Sequence, residues 1–106
     1  MSKTIDTFPA IADETRRTLL VQLSDGERSV SELAAGHAIS RSAVSQHLKI
    51  LLDAGLVEAR QEGRTRFYRL TPLRLIEVVD WLNHFDTFWD EKLQALRSYL
   101  EWSGKR

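Results

Sequence analysis

Apolar residues recur every three to four positions through much of the chain, which is the spacing of amphipathic helices. In the N-terminal segment Ile5, Phe8 and Ile11 lie three residues apart, and they predict a first helix over about residues 3–12. Pro9 must lie near the start of that helix or at a kink, because proline inside a helix removes a backbone hydrogen bond.

The second predicted helix begins after Asp13, whose carboxylate can accept a backbone hydrogen bond at the N-cap. Leu19, Leu20 and Leu23 recur at i, i+1 and i+4 and predict a side that faces the core. The turn signal Asp25-Gly26 ends this helix.

A third and a fourth helix follow, separated by a break. Ser29 and Glu32 have the spacing of a capping box, in which each side chain satisfies an orphan backbone N–H of the helix start. Residues 36–40 interrupt the helical pattern, and Ser40 can cap the next helix. Two short helices joined by such a turn predict a helix-turn-helix.

The fourth helix has two different sides. Four apolar residues make an inward stripe: Val44, Leu48, Leu51 and Leu52. Small, polar and cationic residues occupy the opposite side and its flanks: Arg41, Ser42, Ser45, Gln46 and Lys49. Gly55 then supplies the left-handed residue that commonly ends a helix.

Two extended segments come next, at about residues 56–61 and 65–70. They flank Glu62-Gly63-Arg64, a short tip that contains glycine, so they predict a β-hairpin. A hairpin directly after a helix-turn-helix predicts a wing.

The last predicted helix begins at Thr71-Pro72, where threonine can cap and proline fits the first turn. Its apolar residues follow four- and three-residue spacings close to those of a coiled-coil seam: Val78, Leu82, Phe85, Trp89, Leu93, Leu96 and Leu100. A helix over residues 72–102 presents more apolar surface than one short chain can bury, so it predicts pairing with its copy in a twofold dimer.

These elements predict a mainly α fold with a small β-hairpin, a winged helix-turn-helix in the order α1-α2-α3-α4-β-β-α5. We expect one domain over residues 1–106 that is dimeric through its first and last helices, with Ile5 and Phe8 adding to the interface. Within it, residues 29–56 form the helix-turn-helix, 57–70 the wing and 72–102 the dimerisation helix.

Composition narrows the class of protein. The 106 residues are 42% hydrophobic and 28% charged and contain no cysteine, which excludes disulfides and thiolate metal sites. We find no secretion signal and no long apolar run, so we expect a cytoplasmic protein without a membrane partner.

Charge is balanced overall, at 15 cationic and 15 anionic residues. Residues 40–70 nevertheless carry six lysines and arginines against three acidic residues, so positive charge is concentrated on the predicted helix-turn-helix and wing. This distribution favours a nucleic-acid partner. The sequence has no cysteine nucleophile and no glycine-rich phosphate loop, and we therefore expect neither an enzyme nor a cofactor.

Several motifs resemble one family of regulators. The run SRSAVSQHLKILLDAGL over residues 40–56, followed by VEARQEGRTRFYRL, closely resembles the ArsR-type (arsenic-repressor-like) bacterial winged-helix repressors. FPAIADETRRTLLVQL, over residues 8–23, resembles the family's second helix and its approach. The resemblance covers nearly all of residues 8–72 and implies a homodimeric repressor that binds an inverted repeat of double-stranded DNA.

By that resemblance the fourth helix is the recognition helix in the major groove. Ser42, Ser45 and Gln46 are candidates for base contacts, and Gln46 has the amide for a bidentate contact to adenine. Arg41 suits either guanine or phosphate. The candidates for phosphate contacts are Lys49, Arg60, Arg64, Thr65 and Arg66. Arg64 can also enter the minor groove.

Two candidates have structural alternatives. His47 lies beside the inward stripe, so a DNA contact and a role in packing the recognition helix are equally compatible with the sequence. For Arg69, where the strand returns to the core, we expect a structural ion pair. Without the resemblance, an exposed serine or glutamine on a polar helix face would ordinarily be only solvated.

Many members of this family are sensors of metals. Here the third helix has Ser31-Glu32-Leu33-Ala34-Ala35 where thiolate sensors carry cysteines, and alanine cannot coordinate a metal. Asp80 and His84 are weak candidates for metal ligands, and we expect instead a carboxylate–imidazole pair on a solvated face. The aromatic residues near them suit interface core better than a ligand pocket.

Two alternatives remain open from the sequence. One is a repressor of the same fold that responds to a metal or a small-molecule effector that the sequence does not identify. The other is a winged-helix module that binds an acidic protein rather than DNA.

Overall fold

A computed structural model describes residues 6–85 and 89–104, without the side chains of residues 89, 90 and 104. The helices are α1 Thr7–Ala10, α2 Glu14–Leu23, α3 Val30–Ala35, α4 Arg41–Asp53, α5 Ile76–Asn83 and α6 Gln94–Gly104. The strands are β1 Arg28–Ser29, β2 Val57–Glu62 and β3 Thr65–Leu70. The chain divides into two compact units, one up to Ile76 and one from Glu77, and each is described by itself.

Three predicted N-caps of the first unit are confirmed, those at Asp13, Ser29 and Ser40. The Asp13 carboxylate accepts a hydrogen bond from the backbone N–H of Arg16 at 3.1 Å, and the Ser40 hydroxyl accepts one from Ala43. The capping box at Ser29 and Glu32 is complete. Each cap satisfies a backbone donor that the helix itself leaves without a partner.

Helix α1 is shorter than the predicted residues 3–12, since it ends at Ala10. The N-cap Asp13 has extended backbone angles (φ −96°, ψ 135°), so the preceding helix must stop before it. Ile5, which we predicted on this helix and at the dimer interface, lies outside the described residues.

Helix α4 ends in a Schellman motif. The N–H of Leu56 bonds to the carbonyl of Leu51 and that of Gly55 to the carbonyl of Leu52, both at 3.0 Å. Gly55 has φ +78°, which favours glycine. This tight reversal starts the wing directly after the helix.

The wing belongs to a three-stranded antiparallel sheet in the order β1-β3-β2. Its tip is a two-residue turn in which Gly63 has φ +62° and Arg64 does not have positive φ, the pattern of a type II′ turn. We did not predict β1, because a two-residue strand has no alternating pattern and is defined only by its pairing with Phe67 and Tyr68.

Thr71 closes the base of the wing. Its N–H bonds to the carbonyl of Leu56 at 2.9 Å, and its hydroxyl donates to the carbonyl of Gly55 at 3.0 Å. Thr71 does occupy the N-cap position of the following 3₁₀ turn, and Pro72 its first turn, but the Thr71 side chain makes no capping hydrogen bond, so that part of the prediction is wrong.

The core of the first unit lies between α2, α3, α4 and the sheet. Its fully buried large residues include Leu19, Leu33, Val44, Leu48 and Leu51. Leu52, which we predicted in the same stripe, is only partly buried against this core. The core thus fixes α4 by one side and leaves the opposite side at the surface.

The prediction of an unbroken helix over residues 72–102 is wrong. Residues 72–75 form a 3₁₀ turn, and α5 ends at Asn83. The N–H groups of His84 and Phe85 bond to the carbonyls of Trp81 and Leu82, three residues back, which is a tighter turn than an α-helix. A π-helical turn at Trp89–Leu93 precedes α6.

Candidate nucleic-acid interface

The outer side of α4 carries the predicted base-contacting residues. Arg41, Ser42, Gln46 and Lys49 are exposed, and Ser45 is half-buried. At 3.6 residues per turn these five positions fall within an arc of about 140°. The structure therefore presents hydroxyl, amide and cationic groups together on one helix face, which is the chemistry that base edges in a major groove accept.

Two wing arginines are exposed and have no carboxylate partner among the described residues. Arg64 lies at the tip beside Gly63. Arg66 donates from Nε to the Tyr68 hydroxyl at 3.0 Å, and its guanidinium lies 5.4 Å from the centre of the Tyr68 ring. Because only Nε is used, both terminal nitrogens of Arg66 remain available for an anion.

The other two wing arginines are already paired. Arg60 contacts Glu27 at 2.7 Å and Glu62 at 2.6 Å, and it stacks 4.6 Å from the centre of the Phe67 ring. The guanidinium of Arg60 donates a hydrogen bond to Glu27 and holds the pKa of that carboxyl below its usual value of 4.5. Both carboxylates in turn raise the pKa of Arg60 further above its normal range.

Arg69 pairs with Glu58 at 2.6 Å across the hairpin, which confirms the structural ion pair expected for it. Alternation along the strands separates the two sets of arginines. Arg66 lies on the face of the sheet shared with Tyr68, whereas Arg60 and Arg69 lie on the other face with their carboxylates. Unpaired positive charge is therefore confined to the tip and to one face of the wing.

His47 is held against the start of α2. Its Nδ1 lies 3.2 Å from Arg16 Nη1 and 3.9 Å from Asp13 Oδ2, and 23% of its side chain is exposed. His47 thus makes the helix-packing contact that the sequence offered as one alternative. A DNA contact through its Nε2 stays a prediction.

Lys49 and Thr65 differ in their surroundings. Lys49 contacts Asp53 at 3.2 Å, one helical turn away on the exposed face of α4. Such an exposed i,i+4 pair contributes only about 0.3–0.5 kcal/mol, so a phosphate can compete for the ammonium group. Thr65 is exposed opposite Glu62 at the wing tip.

The weak metal candidates do not form the expected carboxylate–imidazole pair. His84 Nδ1 lies 3.0 Å from the backbone carbonyl oxygen of Asp80 instead. Over residues 6–85 and 89–104, no three histidine, aspartate or glutamate side chains come together in a way that could hold a metal ion.

The predicted interface residues are mostly at the surface. Phe8 in α1 is 43% exposed, and the exposed apolar residues of the second unit include Leu82, Phe85, Leu93, Leu96 and Leu100. Val78 is half-buried, and the side chain of Trp89 lies outside the described residues. Trp81 and Phe85 make an edge-to-face contact with ring centres 5.4 Å apart. Each unit, taken by itself, thus exposes apolar side chains on the helices assigned to the dimer.

Sequence reasoning missed three residues that organise this surface. Arg16 contacts His47, Glu27 pairs with Arg60, and Tyr68 supports Arg66. For Tyr68 a signal was present, because an aromatic residue two positions after a cation in a strand shares its face. For Arg16 and Glu27 the partners lie 31 and 33 residues away, and no local pattern indicates them.

A short helix-turn-helix, a polar recognition helix and a cationic wing tip define a winged-helix DNA-binding protein. Residues 13–59 match the family model described as bacterial regulatory protein, arsR family. This chain therefore belongs to the arsR family and is a DNA-binding transcriptional regulator rather than an enzyme.

Relatives of the chain are regulators of several kinds. An HTH-type transcriptional regulator of Mycobacterium tuberculosis is 39% identical over 97 residues, which cover 92% of this chain and 88% of that protein. The transcriptional repressor SdpR of Bacillus subtilis is 31% identical, over 76% of this chain and 89% of its own length. The transcriptional activator HlyU of Vibrio cholerae is 38% identical, over 77% and 76%.

A crystal structure of a possible transcriptional regulator for arsenical resistance has the same fold. It superposes with a TM-score of 0.71 at 44% identity and covers 89% of this chain and 95% of that one. Within the described residues, no helix combines the length and the apolar character needed to cross a membrane.

Proposed function

We propose that this regulator is a homodimeric repressor that binds an inverted-repeat operator, with one recognition helix in each of two successive major grooves. The observation that carries the proposal is the separation of charge on the wing. Arg64 at the tip and Arg66 on one face of the sheet have no carboxylate partner among the described residues, whereas Arg60 and Arg69 are neutralised on the opposite face. A phosphate backbone needs cations whose charge is not already satisfied.

The contacts follow from the chemistry of each group. Gln46, Ser42 and Ser45 are proposed to read base edges, and Arg41 to contact guanine or phosphate. Arg64, Arg66, Thr65 and Lys49 are proposed to hold phosphates. A phosphate contact from Arg60 requires its guanidinium to break an ion pair with Glu27 or Glu62. Arg60 is therefore a weaker candidate for phosphate binding than Arg64 and Arg66.

Dimerisation is proposed through α1, α5 and α6. Apolar surface of the kind that these helices expose is normally covered by a partner, and a second copy supplies the same surface by twofold symmetry. Light scattering at micromolar concentration should give twice the mass of the 12.2 kDa chain. A stable monomer at that concentration would contradict the dimer.

Repression is the proposed sign of regulation, and it comes from the family resemblance and from relatives such as SdpR, which is named as a repressor. HlyU is named as an activator. A reporter gene placed downstream of the bound duplex distinguishes repression from activation, since a repressor lowers its expression and an activator raises it. We propose that the protein acts in the cytoplasm, where it meets chromosomal DNA.

DNA binding itself is tested by a gel-shift titration at low salt with a labelled duplex and an excess of unlabelled competitor. The proposal expects a shift that random competitor does not abolish. A protein that shifts no duplex at 50 mM salt would instead favour the winged-helix module for an acidic protein partner.

A further inference from the structure

One guanidinium in the first unit connects three groups from two segments of the chain. Arg16 donates from Nε to the carbonyl of Ala10 at 2.7 Å and from Nη2 to the carbonyl of Pro9 at 3.3 Å. Its remaining terminal nitrogen, Nη1, lies 3.2 Å from Nδ1 of His47 in α4. Arg16 therefore joins the end of α1 to the recognition helix.

The direction of the third contact is fixed by the chemistry of arginine. A guanidinium has donors only, so His47 Nδ1 must be the acceptor. This hydrogen bond therefore requires the imidazole tautomer that carries its proton on Nε2. The tautomer of His47 is thus set by Arg16, and Nε2–H is left as a donor on a side chain that is 23% exposed.

The backbone of Arg16 is fixed independently by the N-cap of α2. Asp13 accepts the Arg16 N–H at 3.1 Å, and its carboxylate lies 3.9 Å from His47 Nδ1. Arg16 and Asp13 are thus two charged residues that contact His47 from the start of α2. Because the N-cap holds the start of α2, the Arg16 side chain projects from a rigid base.

The hydrogen bond between Arg16 and His47 matters for DNA recognition because of where His47 lies on α4. His47 is one residue after Gln46, and on the helix it faces α2 while Gln46 faces outward. A hydrogen bond at His47 restrains rotation of α4 about its own axis, and such rotation would move the base-contacting residues.

We infer that Arg16 is a positioning residue for DNA recognition, which orients the recognition helix through the hydrogen bond to His47 and ties it to the carbonyls that end α1. The inference rests on the proposed DNA-binding function. It goes beyond that function in assigning a role to a residue on α2 that is not proposed to touch DNA.

The test compares Arg16→Met with Arg17→Met on a duplex that the wild-type protein has selected from a random pool. Arg17 is the matched control because it also donates to a carbonyl after α1, that of Ile11 at 3.0 Å, and has no contact with His47. We expect affinity to fall about tenfold for Arg16→Met and less than twofold for Arg17→Met. Equal affinities for the two variants would overturn the inference.

His47→Leu keeps the carbonyl contacts of Arg16 and removes the Nδ1 acceptor together with the Nε2–H donor, so it remains informative if Arg16→Met does not fold. We expect it to lose about tenfold, and the double variant to lose no more than either single one, because both remove the same bond. Full additivity in the double variant would contradict the inference.

His47→Asn supplies the rescue, since the asparagine amide oxygen can occupy the place of Nδ1 and accept from Arg16. We expect its affinity to lie within threefold of wild type. A loss equal to that of His47→Leu would show that His47 acts through Nε2 alone and would overturn the role given to Arg16.

A readout that needs no DNA is the ¹⁵N spectrum of the imidazoles at alkaline pH. His47 should be in the Nε2–H form in wild type and in Arg17→Met, and should shift towards a mixture of tautomers in Arg16→Met. An unchanged spectrum in Arg16→Met would overturn the inference even if DNA binding is intact. A wild-type protein that selects no duplex would count against the proposed function instead, and the spectrum would still test the contact.

Discussion

The separation of paired from unpaired arginines on the wing leads to a quantitative prediction about salt. Arg66 and Arg69 lie three residues apart on the same strand, on opposite faces of the sheet. Arg66→Gln and Arg69→Gln each remove one positive charge, but only the first removes a cation that has no carboxylate partner within the described part of the chain. The two variants therefore differ in local geometry and not in net charge.

The expected size follows from counterion release. Each phosphate contact contributes about 0.9 to the slope of log affinity against log salt concentration. Loss of the Arg66 contact should lower the magnitude of that slope by about 0.9, and loss of Arg64 and Arg66 together by about 1.8. Between 50 and 200 mM salt, one contact accounts for about 3.5-fold of the fall in affinity and two for about 12-fold.

The assay is fluorescence anisotropy with a selected duplex at four or more salt concentrations, for wild type, both single variants and the Arg64/Arg66 double variant. The slope for Arg69→Gln should match that of wild type within error. Equal reductions for Arg69→Gln and Arg66→Gln would contradict a specific phosphate contact by Arg66, because the effect would then depend on net charge alone. Unchanged slopes in all variants would show that the wing does not touch phosphate.

Three further predictions concern specificity, the end of α4 and pH. Gln46→Ala should reduce discrimination at one base position of each half-site by about 1–3 kcal/mol, with little change in affinity for random duplex, as measured by competition; an equal loss on both would contradict base contact. Gly55→Ala should lower the free energy of unfolding by about 1–2 kcal/mol, because an L-residue is strained at φ +78°, and urea titration checks this; an unchanged midpoint would refute it. The pKa of Glu27 is lowered by Arg60, so its contribution to stability is present above about pH 4.5 and is lost as the pH falls through the depressed value. The difference in urea midpoint between wild type and Glu27→Gln should therefore shrink between pH 6 and pH 2.5, and a difference that grows on acidification would contradict the pairing.

The features that sequence predicted well are those fixed by neighbours along the chain. Asp13, Ser29 with Glu32, and Ser40 cap helices through contacts three residues away. The end of α4 at Gly55 was predictable because the positive φ that ends the helix is a property of this one glycine. Such signals lie within one helical turn, so a single sequence contains them.

The candidate site was predictable in part for the same reason. The polar face of α4 follows from helical periodicity, which exposes Arg41, Ser42 and Gln46 together. Which wing arginines are neutralised depends on Glu27 in the loop before β1, and the contact of Arg16 with His47 depends on how α2 crosses α4. Those facts belong to tertiary packing and have no local signature.

The predicted unbroken last helix shows a different limit. The apolar spacing continues past Asn83, and a heptad pattern alone indicates one helix. The backbone nevertheless tightens at His84 and Phe85. Periodicity identifies which residues share a face of a helix, but it contains no information about helix propensity. Asparagine and histidine are weak helix formers, and they occur at the position where α5 ends.

If this regulator is a twofold dimer that recognises specific duplex DNA through α4, the purified protein should select a defined sequence from a random pool of duplexes. We expect enrichment of an inverted repeat whose half-site centres lie about 10 base pairs apart or a multiple of that, with degeneracy at one position of each half-site when Gln46→Ala is used. Enrichment of no sequence, or of a single unrepeated site, would contradict that expectation.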